Sequence, residues 1–339
     1  MLFYLLSLMT GVLECGWICT GMMQGLPLWE VLCFPLAYHA GNLFPKPFSL
    51  GKSALLSLSG ISAVLSLLMI AGITGTYSVL CSYICLFCLS AGMQSVRSGL
   101  KNDGNRLFKR ICRVAGFLLA PMAGLVPELI LLLFSLMMIW VIFRYYQGKA
   151  EISRMHGQGG FSAVMILHQL HYFFYAHITL AAMTQKIGIL PAAVMFCGTW
   201  LTYMSVEPLV SGRTKKLLPV FFAGHLGISV LLLCMSFVRN LPVFLILWLV
   251  TGFGGGVVYT ISAQAKKSRK FDKNSMTISE NLGHTFGLLT AVLISALYQN
   301  APELMLRFGA LSAFLAVIGM LCINLVKNTK FANYERGNL

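Results

Sequence analysis

The chain predicts an all-α protein that crosses a membrane twelve times, its helices arranged in two six-helix bundles with both ends on the cytoplasmic side. Three observations carry this expectation. First, the 339 residues are 58% hydrophobic and only 10% charged, with a mean hydropathy of +0.79. A water-soluble domain of that composition has too little polar surface to cover itself. Second, the apolar residues come in runs of about 20, the length that spans the hydrocarbon of a bilayer. Third, 22 of the 25 Lys and Arg residues fall in every second gap between those runs or after the last one. Short loops rich in Lys and Arg stay on the cytoplasmic side.

Read in order, the crossings lie at about 2–23, 27–44, 51–72 and 76–96, then 111–126, 127–146, 161–184 and 188–210, and finally 217–237, 241–263, 275–298 and 305–326. The basic clusters that orient them are Lys46/Lys52, Arg97 to Arg113, Arg144/Lys149/Arg154, Arg213/Lys215/Lys216, Lys266 to Lys273, and Lys327/Lys330/Arg336. The fifth and sixth crossings are short and divided by Pro121, Gly124 and Pro127. Basic clusters on both flanks require an even number of crossings between them, so a tight hairpin is expected rather than one long helix. Met1 to Cys19 lacks a positive n-region and a small-residue cleavage site and runs on apolar past Met23, so it reads as a first crossing and not as a signal peptide.

The expected organisation is an N-terminal bundle (1–146), a cytoplasmic middle loop (147–160), a C-terminal bundle (161–326) and a cytoplasmic tail (327–339). The formal charge of +15 is split among short loops, where it sets topology and meets anionic headgroups. A nucleic-acid site would need a continuous basic face. The ten cysteines lie within or beside apolar runs and show no paired CxxC spacing, so neither disulfides nor a classic zinc motif is indicated.

The two halves match loop for loop: Lys46/Lys52 corresponds to Arg213/Lys215/Lys216, and the Arg97–Arg113 cluster to Lys266–Lys273. Two similar bundles related by an axis along the membrane normal form a transporter plan, with a site near the midplane. In the fifth crossing, Gly116-Phe-Leu-Leu-Ala120-Pro121-Met-Ala-Gly124 places small residues for close helix approach beside a proline bend. With these features the chain resembles the major facilitator superfamily over essentially its whole length. The Gly116/Pro121/Gly124 run is similar to the family's G-x-x-x-G-P-x-x-G-G motif, with Ala120 and Leu125 in place of two glycines. In the family that motif implies exporters exchanging solute for protons. The cytoplasmic gating motif of the family is matched in part by Gly41 to Lys52, without its aspartate. It is matched more fully by Glu207-Pro-Leu-Val-Ser-Gly212-Arg213-Thr-Lys215-Lys216, where Glu207 stands in for the acid. Arg97 falls at the cytoplasmic end of the fourth crossing, where proton-exchanging members usually carry a deeper arginine. Glu280 and His284, spaced i, i+4 at the cytoplasmic end of the eleventh crossing, are read as gate residues.

An ionisable group at membrane depth costs roughly 2.5–3.5 kcal/mol on insertion scales unless it faces a cavity or a partner. Glu14 is the one carboxylate placed near the middle of a crossing. The seventh crossing reads His168-Gln-Leu-His171-Tyr172-Phe-Phe-Tyr175-Ala-His177. At about 100° per residue, His168, His171, Tyr172 and Tyr175 share one face and His177 lies opposite. The resemblance implies that helices 1, 4, 7 and 10 line the cavity. At 1.5 Å per residue Glu14 and His171 then lie about 18 and 15 Å from the cytoplasm, and they are read as the proton-coupling pair. His168, Tyr172 and Tyr175, with Trp248 and Tyr259 of the tenth crossing, are read as substrate-binding. Gly252-Phe-Gly-Gly-Gly256 is read as a packing element, since no strand precedes it. Cys81, Cys85 and Cys88, spaced i, i+4, i+7, are an alternative soft-metal site, set against ordinary buried packing.

The function expected from these residues is secondary transport of a small, polar or anionic, partly aromatic solute, such as a drug or metallophore, outward and in exchange for protons. The alternatives are a symporter importing a nutrient, metal ion or chelate, and a polytopic membrane enzyme. The enzyme reading lacks an H-E-x-x-H or G-x-S-x-G motif. The expected partners are the solute, protons and lipid, without cofactor or nucleic acid, in a monomer of the bacterial inner (plasma) membrane. On a background lacking native cysteines, Cys replacements at Ser211 and Ser268 should react with an impermeant thiol reagent only from the cytoplasm, and one at Asn240 only from outside. Cytoplasmic labelling at 240 would contradict the twelve-crossing order.

Overall fold

The computed structural model describes residues 1–45, 50–99, 105–146, 159–210, 217–267, 273–298 and 301–327; among them are twelve α-helices and no strand. The helices are α1 (Leu2–Met23), α2 (Leu28–Leu43), α3 (Lys52–Ile70), α4 (Ser78–Gly99), α5 (Arg106–Leu125) and α6 (Pro127–Tyr145). They continue as α7 (Gly159–Ile187), α8 (Ile189–Val210), α9 (Leu217–Phe237), α10 (Leu241–Lys267), α11 (Lys273–Leu297) and α12 (Ala301–Lys327). The fold class read from hydropathy is the one observed. The fifth and sixth crossings form separate helices that meet at Pro127, which opens α6 where its missing N–H is not needed.

One boundary moves in a way that matters. Helix α5 begins at Arg106, five residues before the hydropathy estimate, because the Asn105 side chain accepts hydrogen bonds from Leu107 N (2.9 Å) and Phe108 N (3.3 Å) and so caps it. The part of the basic cluster from Arg106 on is therefore helical, and Arg113 lies two turns inside α5 rather than at its mouth.

Several helices bury small or polar residues and expose large apolar ones, the reverse of a soluble protein. In α3 the buried face carries Ser59, Ser62 and Ser66, while Ile61, Val64, Leu67 and Ile70 are exposed. Ser62 Oγ and Ser135 Oγ of α6 share a 2.7 Å hydrogen bond, and Leu133, Leu136, Trp140 and Phe143 line the outer face of α6. In α12 small residues, Ala310, Ala313 and Ala316, point inward and Leu311, Phe314, Leu315, Ile318 and Leu321 outward. Such surfaces are stable only where lipid replaces water, because the packing between helices then rests on small residues and internal hydrogen bonds.

The chain divides into two compact units, residues 1–154 with 180–193, and residues 155–179 with 194–339. In the first, α1 packs along α5, α2 on α4, and α3 on α6. A Cβ on Gly116 would come 2.2 Å from Leu8 O, and one on Gly11 would come 2.1 Å from Arg113 O, so these two backbones touch directly. Farther along, Gly16 faces Ala123 and Gly124 faces Met23. Gly41 of α2 meets Ser90 and the Phe87 carbonyl of α4 in the same way.

The second unit repeats these pairings six helices later. Gly283 of α11 lies against Ile166 O and Gln169 of α7, Gly252 and Gly256 of α10 against Thr199 O and Tyr203 O of α8, and α9 packs on α12, where Ser229 donates to Ala310 O (2.8 Å). The glycine run of α10 is thus a packing element, as its surroundings predict.

Gly116→Ala should lower the thermal midpoint of the detergent-solubilised protein, because neither backbone can move aside, at a cost of about 1–3 kcal/mol. Gly60→Ala, on a face of α3 with nothing within 4 Å, should leave it unchanged or slightly raised. Equal effects of the two would contradict the close α1–α5 contact.

Candidate functional site

In the first unit the close contact of α1 with α5 sets Glu14, one turn past Gly11, within reach of Arg113, one turn before Gly116. Their carboxylate and guanidinium form an ion pair in which the carboxylate is buried and the arginine partly exposed. The Arg113 guanidinium also lies 5.8 Å from the Phe117 ring centre. From α4, the Arg97 side chain turns back to donate to Leu6 O and Thr10 Oγ1 of α1. The buried Tyr38 of α2 stands among Arg97, Arg113, Glu14 and Thr10. Glu14 thus finds its charge partner on α5 of its own unit. Sequence reasoning missed Arg113 as that partner by counting it with the cytoplasmic cluster. Arg97 is indeed in the last turn of α4, yet it reaches two turns into α1. The arrangement joins one carboxylate and two guanidiniums.

In the second unit the helix 7 stripe separates into two groups. Tyr172 and Tyr175, with ring centres 5.6 Å apart, line a small recess together with Phe196, Trp200, Tyr203 and Trp248. The Gly252 backbone forms part of its wall, and no side chain at that position would fit, since a Cβ would sit 1.9 Å from Thr202 Oγ1 and 2.3 Å from Thr199 O. Three residues expected to bind substrate, Tyr172, Tyr175 and Trp248, are brought together here. The aromatic contributors from α8 were missed, although 196, 200 and 203 have the i, i+4, i+7 spacing of a single helical face.

His168 and His171 do not line that recess. They converge on His225 of α9, with His168 Nδ1 3.1 Å from His225 Nε2, and with His171 ring centres 5.3 Å from His168 and 5.5 Å from His225. His225 was not singled out from the sequence, because a lone histidine in an apolar run carries no periodic signal. His177, assigned to the opposite face, is buried with its ring 6.5 Å from Tyr172.

Among the expected gate residues, Gly116 and Gly124 lie in the α1–α5 contact and Pro121 is inside α5. His284 Nε2 bonds Gln169 Oε1 of α7 at 2.7 Å, so α11 and α7 are joined by a polar pair where α5 and α1 are joined by an ionic one. Glu280 lies one turn earlier in α11. Arg213 and the side chains of Glu207 and Tyr259 lie outside the described residues. Cys81, Cys85 and Cys88 are buried; Cys85 donates to Ser62 O (3.5 Å) and meets Ser66 Oγ (3.8 Å). The three sulfurs do not form a group with all ligand atoms within 4.8 Å, whereas His168, His171 and His225 do.

Solved structures similar to the chain are membrane transporters. The nucleoside transporter NupG matches at TM-score 0.61 with 12% identity, covering 95% of this chain and 98% of its own. A bacterial homologue of the iron transporter ferroportin, in its inward-facing state, matches at TM-score 0.60 with 13% identity over 98% and 97%. The human organic anion transporter MFSD10 matches at 0.55 with 15% identity over 90% and 83%. The fold is the major facilitator fold. At these identities the likeness establishes architecture alone. No protein-family model matches the sequence, and neither does any curated protein.

Proposed function

We propose that the chain is a secondary transporter that moves a small organic solute across the membrane by alternating access, outward and in exchange for protons. The observation that carries this reading is the co-location of Tyr172, Tyr175 and Trp248 with three further aromatic rings around one recess of a major facilitator fold. Aromatic walls with hydroxyl and indole groups offer a solute stacking area and a few hydrogen bonds. They favour a solute with an aromatic or other flat apolar part. The structures that share the fold include those of an organic anion transporter, a nucleoside transporter and a fucose:proton symporter, a spread of solutes that supports transport and leaves the recess to choose among them.

The proton-coupling role falls to Glu14. A carboxylate at membrane depth needs a partner, and Arg113 faces Glu14. Protonation removes that attraction and frees the guanidinium, and deprotonation restores it. The pair bridges α1 and α5, so each change alters the force holding those helices together. This gives a proton a way to bias one conformation over another, which is the requirement for coupling it to a solute.

In proteoliposomes, flux of aromatic organic anions and drugs should respond to an imposed pH gradient. Glu14→Gln, which mimics the protonated carboxyl, should abolish gradient-driven flux and retain solute counterflow. Normal pumping by a folded, inserted Glu14→Gln protein would remove Glu14 from the coupling role, and flux indifferent to pH in the unaltered protein would remove proton coupling altogether.

A further inference from the structure

The group formed by His168, His171 and His225 belongs neither to the aromatic recess nor to the ion pair of the first unit, and its geometry has a chemical meaning of its own. All three side chains are buried. Each offers a ring nitrogen, and the three nitrogens lie within 4.8 Å of one another. A chain of hydrogen-bonded histidines needs only successive pairwise contacts. Three imidazoles that each bring a nitrogen within 4.8 Å of the other two can serve one ion as a ligand set.

The one close pair has the spacing of ligands on a first-row divalent ion, and the His171 nitrogen lies within 4.8 Å of both. Zinc–imidazole bonds of about 2.0–2.1 Å in tetrahedral geometry place neighbouring ligand nitrogens roughly 3.3 Å apart. His168 Nδ1 and His225 Nε2 already stand at 3.1 Å, so an ion would replace the proton between them with a few tenths of an ångström of movement. The outer support is present as well. His225 Nδ1 lies 2.9 Å from Phe221 O, its own helix one turn back, which assigns the proton to Nδ1 and leaves the Nε2 lone pair facing inward. Metal-binding histidines are commonly oriented in this way, by donating their other N–H to a carbonyl. The ring of Phe221 packs against His225 with centres 4.0 Å apart and planes tilted by 36°. Imidazole ligands suit zinc, cobalt, nickel and copper better than magnesium or calcium.

We infer that His168, His171 and His225 form a binding site for a single divalent transition-metal ion of the zinc type, with three protein ligands and a fourth position left to water or an anion. The ring of Tyr175 stacks on His171 at 6.4 Å and lines the aromatic recess, so the site stands one ring away from it. The site requires only that α7 and α9 hold their places, so it does not rest on the transport reading.

Cobalt(II) reports the geometry directly, because tetrahedral Co²⁺ in a nitrogen site gives intense visible d–d bands. Titrated into tag-free protein in detergent micelles, Co²⁺ should develop those bands to saturation at one ion per chain, and added Zn²⁺ should bleach them. His225→Ala and His168→Gln should each weaken Co²⁺ binding by roughly 100-fold or more, with the helical signal and monodispersity retained. Cys85→Ser should bind as the unaltered protein does. No saturable bands in the unaltered protein would overturn the inference whatever the variants do, and so would bands that survive His225→Ala and His168→Gln or vanish with Cys85→Ser. The measurement involves no gradient and no solute, so its outcome is independent of whether the protein transports.

Discussion

The backbone contact between α1 and α5 is the constraint on which the first unit depends. In hydrocarbon no hydrophobic force draws helices together, so association relies on close packing of small residues and on polar contacts. Gly11 and Gly116 let the two helices approach until carbonyl and Cα touch. Only then can Arg113 reach Glu14 across the interface. The dependence runs both ways: the ion pair is tolerable at this depth because each charge has its partner, and the helix pair is specific because slipping it would strand a carboxylate in lipid. Arg97 adds a third helix to the arrangement by donating to the Leu6 carbonyl and Thr10 hydroxyl of α1.

The second unit uses the same packing plan with different chemistry at corresponding places. Gly283 and Ile166 O take the role of the α1–α5 glycines, yet the polar link between those two helices is neutral, His284 to Gln169. The α8–α10 contact, made by Gly252 and Gly256, corresponds to that of Gly41 with α4 and here also shapes a recess wall. One unit thus carries a carboxylate paired with Arg113, and the other carries aromatic rings and imidazoles.

Hydropathy and charge alternation were sufficient for all twelve helices, because lipid imposes a length and an outward apolar face on each crossing. The small-residue motif of α5 was legible for the same reason, since its physics is local spacing. Lateral partners were not legible. Depth along an axis pairs Glu14 with His171 but says nothing of which helix lies alongside, so the partner Glu14 has within its own unit, Arg113 of α5, carries no signal in the sequence. The helix 7 stripe is one face by periodicity, with Tyr175 between His168 and His171 in angle; the split runs along the axis, with His168 and His171 meeting α9 and the later Tyr172 and Tyr175 lining the recess with α8 and α10. His225 needed the packing of α7 on α9 before it had any meaning.

The central claim is that Glu14 and Arg113 act as one unit joining α1 to α5. A double-mutant cycle with Glu14→Gln, Arg113→Gln and both together, measured as stability of the protein in micelles, tests it directly. Each single change should destabilise more than its share of the pair, leaving a coupling energy of about 1–3 kcal/mol. Effects of the two changes that simply add would contradict it.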